Sequence, residues 1–328
     1  MGLYSCKRVE PTPYKPTIGL EEAIERRDER AVAYWAFEER HRPNVSFNHY
    51  ITPRMLAAKV GNKAIMQSVL GMTWSNVERD AVGMTALHWA TYYNQVEMAK
   101  MLIDAGYELD VVDEFLGYTP LMYAIKNKNI AMVDLLINAG ADVNKGNEEN
   151  FTPLMLASMW SFHPREAIVK RLLDAGAKTG KQDNSGWSAL AYASTEYCPE
   201  CVKLLLDAGE DVNNHYEQGA IPLLVATQHC DEKTAEVLIK AGADISVRTK
   251  DKENPLILTG RSHCTVDEDT IRVYIGNGID VLAKDAYGYT IWDIAKEDPY
   301  MTDKAEEMLK QEVAKAKKAK IEKKSKHI

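Results

Sequence analysis

Residues 119–124 read TPLMYA, and residues 135–144 read LLINAGADVN. The first stretch opens a short helix. The Thr119 hydroxyl can cap it, and Pro120 takes the first helical position, where a missing N–H costs nothing. The second stretch closes another helix on Gly140, which can take left-handed backbone, and returns to extended chain at Val143-Asn144. Around this copy the pattern recurs as TPRMLA from Thr52, TALHWA from Thr85, TPLMLA from Thr152, SALAYA from Ser188, IPLLVA from Ile221, NPLILT from Asn254 and TIWDIA from Thr290. Successive copies start 33, 34, 33, 36, 33, 33 and 36 residues apart. A fixed period of this size means one supersecondary unit stacked many times. The chain is therefore predicted to be all-α and one elongated body, each unit packing only on its neighbours.

The copy from Thr85 illustrates the physics. Gly83 supplies a permissive turn two residues before the cap. Leu87 and Ala90 face inward, and the small alanine lets helices approach closely. Met98, Ala99, Met101, Leu102 and Ile103 then give a second helix with a buried face, which stops at Gly106. Leu121, Leu154 and Leu190 are the matching core positions of other copies.

The TPLHxA-like and LLxxGADVN-like segments make the chain resemble the ankyrin repeat over residues 44–300. The resemblance implies an ankyrin-repeat solenoid: helix-turn-helix pairs with projecting β-turn fingers, stacked around a concave face. It also implies that His88 ties neighbouring repeats together, and that partners meet the finger tips and the inner end of each first helix. Four regions are predicted: a Pro-containing extended tail (1–17), a helical capping half-repeat (18–42), a repeat region of about eight copies (43–312) and a basic helical tail (313–328). Two departures mark the first copy: Arg54 replaces the usual leucine, and Thr73 stands where the closing glycine belongs. The fourth and seventh copies carry insertions between their helices, near Ser161–Arg165 and Ser262–Asp267.

Placed by register, Met84, Tyr92, Tyr93, Tyr118, Phe151, Trp160 and Trp187 form an aromatic stripe on the concave side and are the candidate partner-binding residues. Tyrosine and tryptophan dominate binding hot spots. The competing reading is that those just before each cap simply pack on the neighbouring finger. Tyr92, Tyr93 and Trp160 escape it, because they occupy no core position. Glu148, Glu149, Glu196, Glu217 and Glu253 lie near the same surface and suggest a partner with scattered basic residues.

Five cysteines, Cys6, Cys198, Cys201, Cys230 and Cys264, are too few and scattered for a disulfide framework and suggest a reducing compartment. Cys198, Cys201, His229 and Cys230 could be gathered into a zinc site. A single CxxC whose second cysteine falls on an inward helical position reads better as buried thiols. No metal and no cofactor is expected. The net charge of -8 is uneven. Residues 313–328 carry seven lysines and one glutamate, a basic tail suited to an acidic surface such as tubulin, with a solvated helix end as the plain alternative. The acidic body disfavours nucleic acid. Gly2 and Cys6 half match an acylation signal, no membrane span or secretory signal is read, and the protein is expected to be monomeric by itself.

No phosphate-binding loop, nucleotide-binding glycine turn or nucleophile elbow is present, and the eight histidines are scattered. A non-enzymatic cytoplasmic scaffold that binds a protein partner is the expected function. The alternative is a structural component of a cytoskeletal or ciliary assembly, docked through its tails. A ubiquitin-ligase adaptor fits poorly, because residues 304–328 are too charged for a ligase-recruiting box.

Overall fold

The computed structural model describes residues 17–41, 51–72, 78–159, 165–214, 221–262, 264–296 and 300–325. The regular secondary structure of these residues is helical, apart from one isolated parallel bridge between Val266 and Met301, with turns and extended segments between the helix pairs. Where the sequence predicts one body, the chain divides into two compact units, Met1–Asp142 and Val143–Ile328.

The described residues of the N-terminal unit form four helix pairs: α1 (Leu20–Glu25) with α2 (Glu29–His41), α3 (Pro53–Val60) with α4 (Lys63–Leu70), α5 (Ala86–Tyr92) with α6 (Val96–Asp104), and α7 (Pro120–Lys126) with α8 (Ile130–Asn138). First helices pack on first helices, α1 on α3 on α5 on α7, and second helices stack likewise. The threonines work as expected: Thr52, Thr85 and Thr119 each accept a backbone N–H from the residue three positions on, worth about 1 kcal/mol apiece. Met55, Leu87, Ala90, Leu121 and Ala124 are buried between the layers. Gly106 and Gly140 take φ values of 82° and 95° just past α6 and α8. Gly83 has φ 78°, and a side chain there would meet the Glu114 backbone nitrogen at 2.8 Å.

Arg54, the misfit of the first copy, has a structural role. It is buried, and its guanidinium donates to Val69 O (3.3 Å), Met72 O (2.9 Å) and Tyr107 Oη (3.2 Å). It thus satisfies carbonyls around the end of α4, where no left-handed glycine follows; Thr73 lies outside the described residues. His88 bridges two repeats as the family pattern implies. Its Nδ1 accepts the Thr85 N–H (3.1 Å), and its Nε2 lies 3.1 Å from Tyr118 O. Burial lowers its pKa to about 4, so the ring is neutral near pH 7.

The C-terminal unit continues with α9 (Pro153–Met159) and α10 (Arg165–Asp174), α11 (Ala189–Ala193) and α12 (Pro199–Asp207), α13 (Pro222–Gln228) and α14 (Glu232–Lys240), α15 (Pro255–Arg261) and α16 (Glu268–Gly276), and α17 (Ile291–Ala295) and α18 (Asp303–Ser325). Leu154, Leu190, Leu223 and Leu256 are buried here. Ile221 cannot cap α13 and does not. The insertion of the seventh copy has a use: Val266 exchanges hydrogen bonds with the chain before α18, its N–H donating to Tyr300 O and its carbonyl accepting from Thr302 N (both 3.0 Å). The insertion of the fourth copy falls mainly on residues outside the described set. In α18, Ala305, Leu309 and Val313 are buried, while the lysines from Lys315 to Lys323 are solvent-facing.

The cysteines require a correction. Four of the five pair as disulfides, Cys198 with Cys201 and Cys230 with Cys264. The second joins positions 34 residues apart. One repeat period carries a side chain to the equivalent place in the next copy, so sulfurs that look scattered along the chain become neighbours in the stack. Cys6 and the acylation candidate Gly2 lie outside the described residues. No described helix is long and apolar enough to cross a membrane.

Candidate interaction site

An aspartate five or six residues before the cap organises several fingers. In the N-terminal unit, Asp80 Oδ1 accepts the N–H groups of Val82 (3.0 Å) and Met84 (2.9 Å). Asp113 Oδ1 accepts those of Phe115 (2.9 Å), Leu116 (2.6 Å) and Gly117 (3.1 Å). The second oxygen of each carboxylate reaches the first helix. Trp89 Nε1 donates to Asp80 Oδ2 (2.7 Å), and Tyr123 Oη donates to Asp113 Oδ2 (2.5 Å). One carboxylate, half-buried in Asp80 and buried in Asp113, thus fixes both the finger and an aromatic ring, through charge-assisted bonds worth about 1.5–3 kcal/mol each. Burial, then the bond to Asp113, raises the Tyr123 pKa.

The fixed rings carry the exposed ones. Tyr93 lies 5.8 Å from Trp89 and 5.1 Å from Tyr92; Tyr92 is 6.0 Å from Tyr123, which is 5.8 Å from Tyr118. The result is a continuous array across α5, α7 and their fingers. Tyr92 and Tyr93 are 50% and 38% exposed, and the fingertip Phe115 is 76% exposed. Met84 and Tyr118 are half-buried. Lys59 lies 5.8 Å above the Tyr93 ring and Lys126 5.9 Å above that of Tyr118.

In the C-terminal unit, Asp183 repeats the device, accepting Ser185 N (2.8 Å), Trp187 N (3.0 Å) and the Tyr192 hydroxyl (2.6 Å). Here the two candidate aromatic residues turn inward. Phe151 is buried 5.4 Å from Tyr192, and Trp187 is half-buried against Ala191 and Val225. Trp187 also lines a cleft of about 660 Å³ with Leu224, Leu258, Arg248 and Lys250. Trp160 lies outside the described residues. Further along, Arg261 bridges Glu253 and Asp285 beneath the exposed Tyr287 and Tyr289. Burial alone would raise the Asp285 pKa; the Arg261 hydrogen bond and the N–H groups of Tyr289 and Tyr287 outweigh it and hold it below the usual range.

The candidate residues therefore fall into two sets, Met84, Tyr92, Tyr93 and Tyr118 in one unit and Phe151 and Trp187 in the other. Trp89, Tyr123, Tyr192, Tyr287 and Phe115 were not among the sequence candidates. A signal for three of them exists: an aromatic donor four residues after the cap occurs in three of the four copies whose finger starts with aspartate, those of Asp80, Asp113 and Asp183; in the fourth, that of Asp285, the position is Ile294 and Arg261 pairs with the carboxylate instead. Glu253, expected to attract a basic partner, is buried and ion-paired with Arg261; Glu217 lies outside the described residues. The proposed zinc set is not assembled, since Cys230 pairs with Cys264. The Cys198 sulfur instead has Glu166 at 3.7 Å.

Paired helices, finger turns and a surface of clamped aromatic rings define a helical repeat protein. The family model described as ankyrin repeats (three copies) matches residues 20–113, 105–178 and 159–249, and the chain belongs to that family. A putative ankyrin repeat-containing protein of Treponema pallidum is 32% identical over 172 residues, which is 52% of this chain and 55% of that protein. The B-cell lymphoma 3 protein homolog of Mus musculus is 34% identical over 102 residues, covering 31% of this chain and 22% of the mouse protein. The matches thus span about half, or less, of these relatives. The solved ankyrin repeat domain of Bcl-3 aligns at a TM-score of 0.57 with 24% identity, covering 70% of this chain and 99% of that one, a likeness of fold.

Proposed function

We propose that this chain is a non-catalytic interaction module that binds a protein partner through its fingers and first helices, as a scaffold would. The observation that carries this reading is the array around Tyr92 and Tyr93. Two adjacent tyrosines present exposed faces yet rest on rings held by the half-buried Asp80 and the buried Asp113, so little freedom is lost when a partner covers them. The groups with strongly perturbed titration also favour it. His88, Tyr123, Tyr192 and Tyr274 are each engaged in hydrogen bonds that hold the repeats together, a structural use of these groups.

Crosslinking in the native cell, run in parallel on the parent chain and on Tyr92→Ala/Tyr93→Ala, tests this. Protein partners should be captured by the parent and lost from a variant that remains folded. Equal capture by both would remove the array from the interaction, and reproducible substrate turnover would overturn the non-catalytic reading.

A further inference from the structure

Building on that interaction reading, we propose that the first-helix face of the N-terminal unit recognises an acidic, extended protein segment whose carboxylates pair with Lys59 and Lys126 on either side of Tyr92. The three residues share one register position, seven after the caps Thr52, Thr85 and Thr119. Their helices α3, α5 and α7 pack side by side. They therefore form a row, cation–tyrosine–cation, along the face that carries the aromatic array.

The charge of this row is not neutralised from within. Each ammonium lies over a tyrosine ring, and neither has a carboxylate partner among the described residues. Elsewhere in the same unit the pattern differs: Lys63, at the start of α4, is paired with Glu97 at 3.1 Å. The aspartates that begin the fingers are not available either. Asp80 and Asp113 are taken up by finger N–H groups and by Trp89 and Tyr123. The exposed fingertip pair Arg79 and Glu114 contributes no net charge. In the C-terminal unit the same register position holds Met159, Thr195, Gln228 and Arg261, and Arg261 is already paired with Glu253 and Asp285. Unneutralised cations at this position are thus confined to the N-terminal unit, in a chain whose net charge is -8.

Geometry narrows the ligand. Packed helices lie about 8–10 Å apart, so Lys59 and Lys126, two repeats apart, are separated by about 16–20 Å. Extended chain rises about 3.3 Å per residue, so the two acidic residues should stand about five or six positions apart. An apolar side chain between them would meet Tyr92 and Tyr93. A nucleic acid offers anions and stacking surfaces too, but its continuous phosphate charge is repelled by an acidic chain. A segment with two spaced carboxylates carries far less charge per length and meets correspondingly less of that repulsion.

Selection of random peptides displayed on phage against the immobilised full chain tests the proposal without knowing the natural partner. Winning peptides should be enriched in pairs of Asp or Glu five or six positions apart. They should bind Lys59→Glu/Lys126→Glu about tenfold more weakly, and selection on that variant should turn toward Lys and Arg. Lys59→Gln/Lys126→Gln, which removes charge without inverting it, should weaken binding with no such reversal. Winners that are neutral or basic, or acidic winners indifferent to both variants, would overturn the proposal. So would a labelled oligothymidylate that displaces them. Neutral winners lost on Tyr92→Ala/Tyr93→Ala would remove the acidic ligand and leave the interaction module standing; no winners at all would count against both.

Discussion

The two units share one repeat and use its surface in opposite ways. In the N-terminal unit the residues at the end of the first helix α5, Tyr92 and Tyr93, are exposed and flanked by lysines. In the C-terminal unit the equivalent places hold Thr195 and Glu196 or Gln228 and His229, and the nearby aromatic residues Phe151 and Trp187 pack inward. The C-terminal unit is also crosslinked, by Cys198–Cys201 and Cys230–Cys264, whereas the described residues of the N-terminal unit contain no cysteine. What differs is the side chains at a few solvent-side register positions. The buried positions hardly change, because each copy must fit its neighbour.

The largest break in this comparison should come from the crosslink between repeats. Cys230 and Cys264 close a loop with a sequence separation of 34, for which chain entropy gives about 3–4 kcal/mol of stabilisation. Cys230→Ser/Cys264→Ser, or a reductant, should lower urea stability by that order and raise amide exchange in α14 and α16. Exchange in α5 to α8 should stay as it was. Unchanged protection in α14 and α16 would mean that the disulfide adds nothing the packing does not already supply.

Next is the finger aspartate. Asp113 receives three N–H groups and one hydroxyl, and Asp113→Ala should cost about 3 kcal/mol by stranding them. Asn147, which accepts the N–H groups of Glu149 and Phe151 in a copy with Leu156 at the aromatic position, should cost about 1 kcal/mol on the same change. Equal losses in chemical denaturation would show that the aromatic clamp carries no weight.

Protonation of His88 gives a third handle. Its folded pKa of about 4 lies below the usual 6.5, so the unfolded chain binds the extra proton first. The contribution is complete above pH 6.5 and is lost as pH falls toward 4, with about 2 kcal/mol gone at pH 5. His88→Gln should flatten that part of the stability profile. A profile identical in the two proteins would assign the acid sensitivity to other groups.

The sequence made the repeat, its caps and its closing glycines legible, because local backbone chemistry dictates them: Thr85, Pro120 and Gly140 can be read one at a time. Tyr92 and Tyr93 were legible by subtraction, since no core position needed them. Three things were not. The bond from Asp113 to Tyr123 joins residues ten apart through a finger whose path the sequence does not state. The Cys230–Cys264 pair needs the stacking register to within a few ångströms. Arg54 looked like a defect, because its reward, the carbonyls of Val69 and Met72, lies at the end of a different helix.

The smallest expected effect separates surface from scaffold. Tyr92→Ala/Tyr93→Ala removes two partly exposed rings whose contacts are a tilted one with Trp89, an edge-on one with Tyr123 and the Lys59 ammonium over Tyr93. Exposed substitutions away from buried hydrogen bonds usually stay within about 0.5 kcal/mol. With partial ring contacts added, the double variant should lose under about 1 kcal/mol. Trp187→Ala, by contrast, uncovers Ala191 and Val225 and should lose about 2 kcal/mol or more. Both are measured by urea unfolding of the full chain. If the tyrosine pair cost as much as the tryptophan, its rings would be part of the packing, and the contrast between an offered surface and a folded-in one would collapse. If the order holds, the N-terminal array is surface that stability does not need, which is where binding can select the residues.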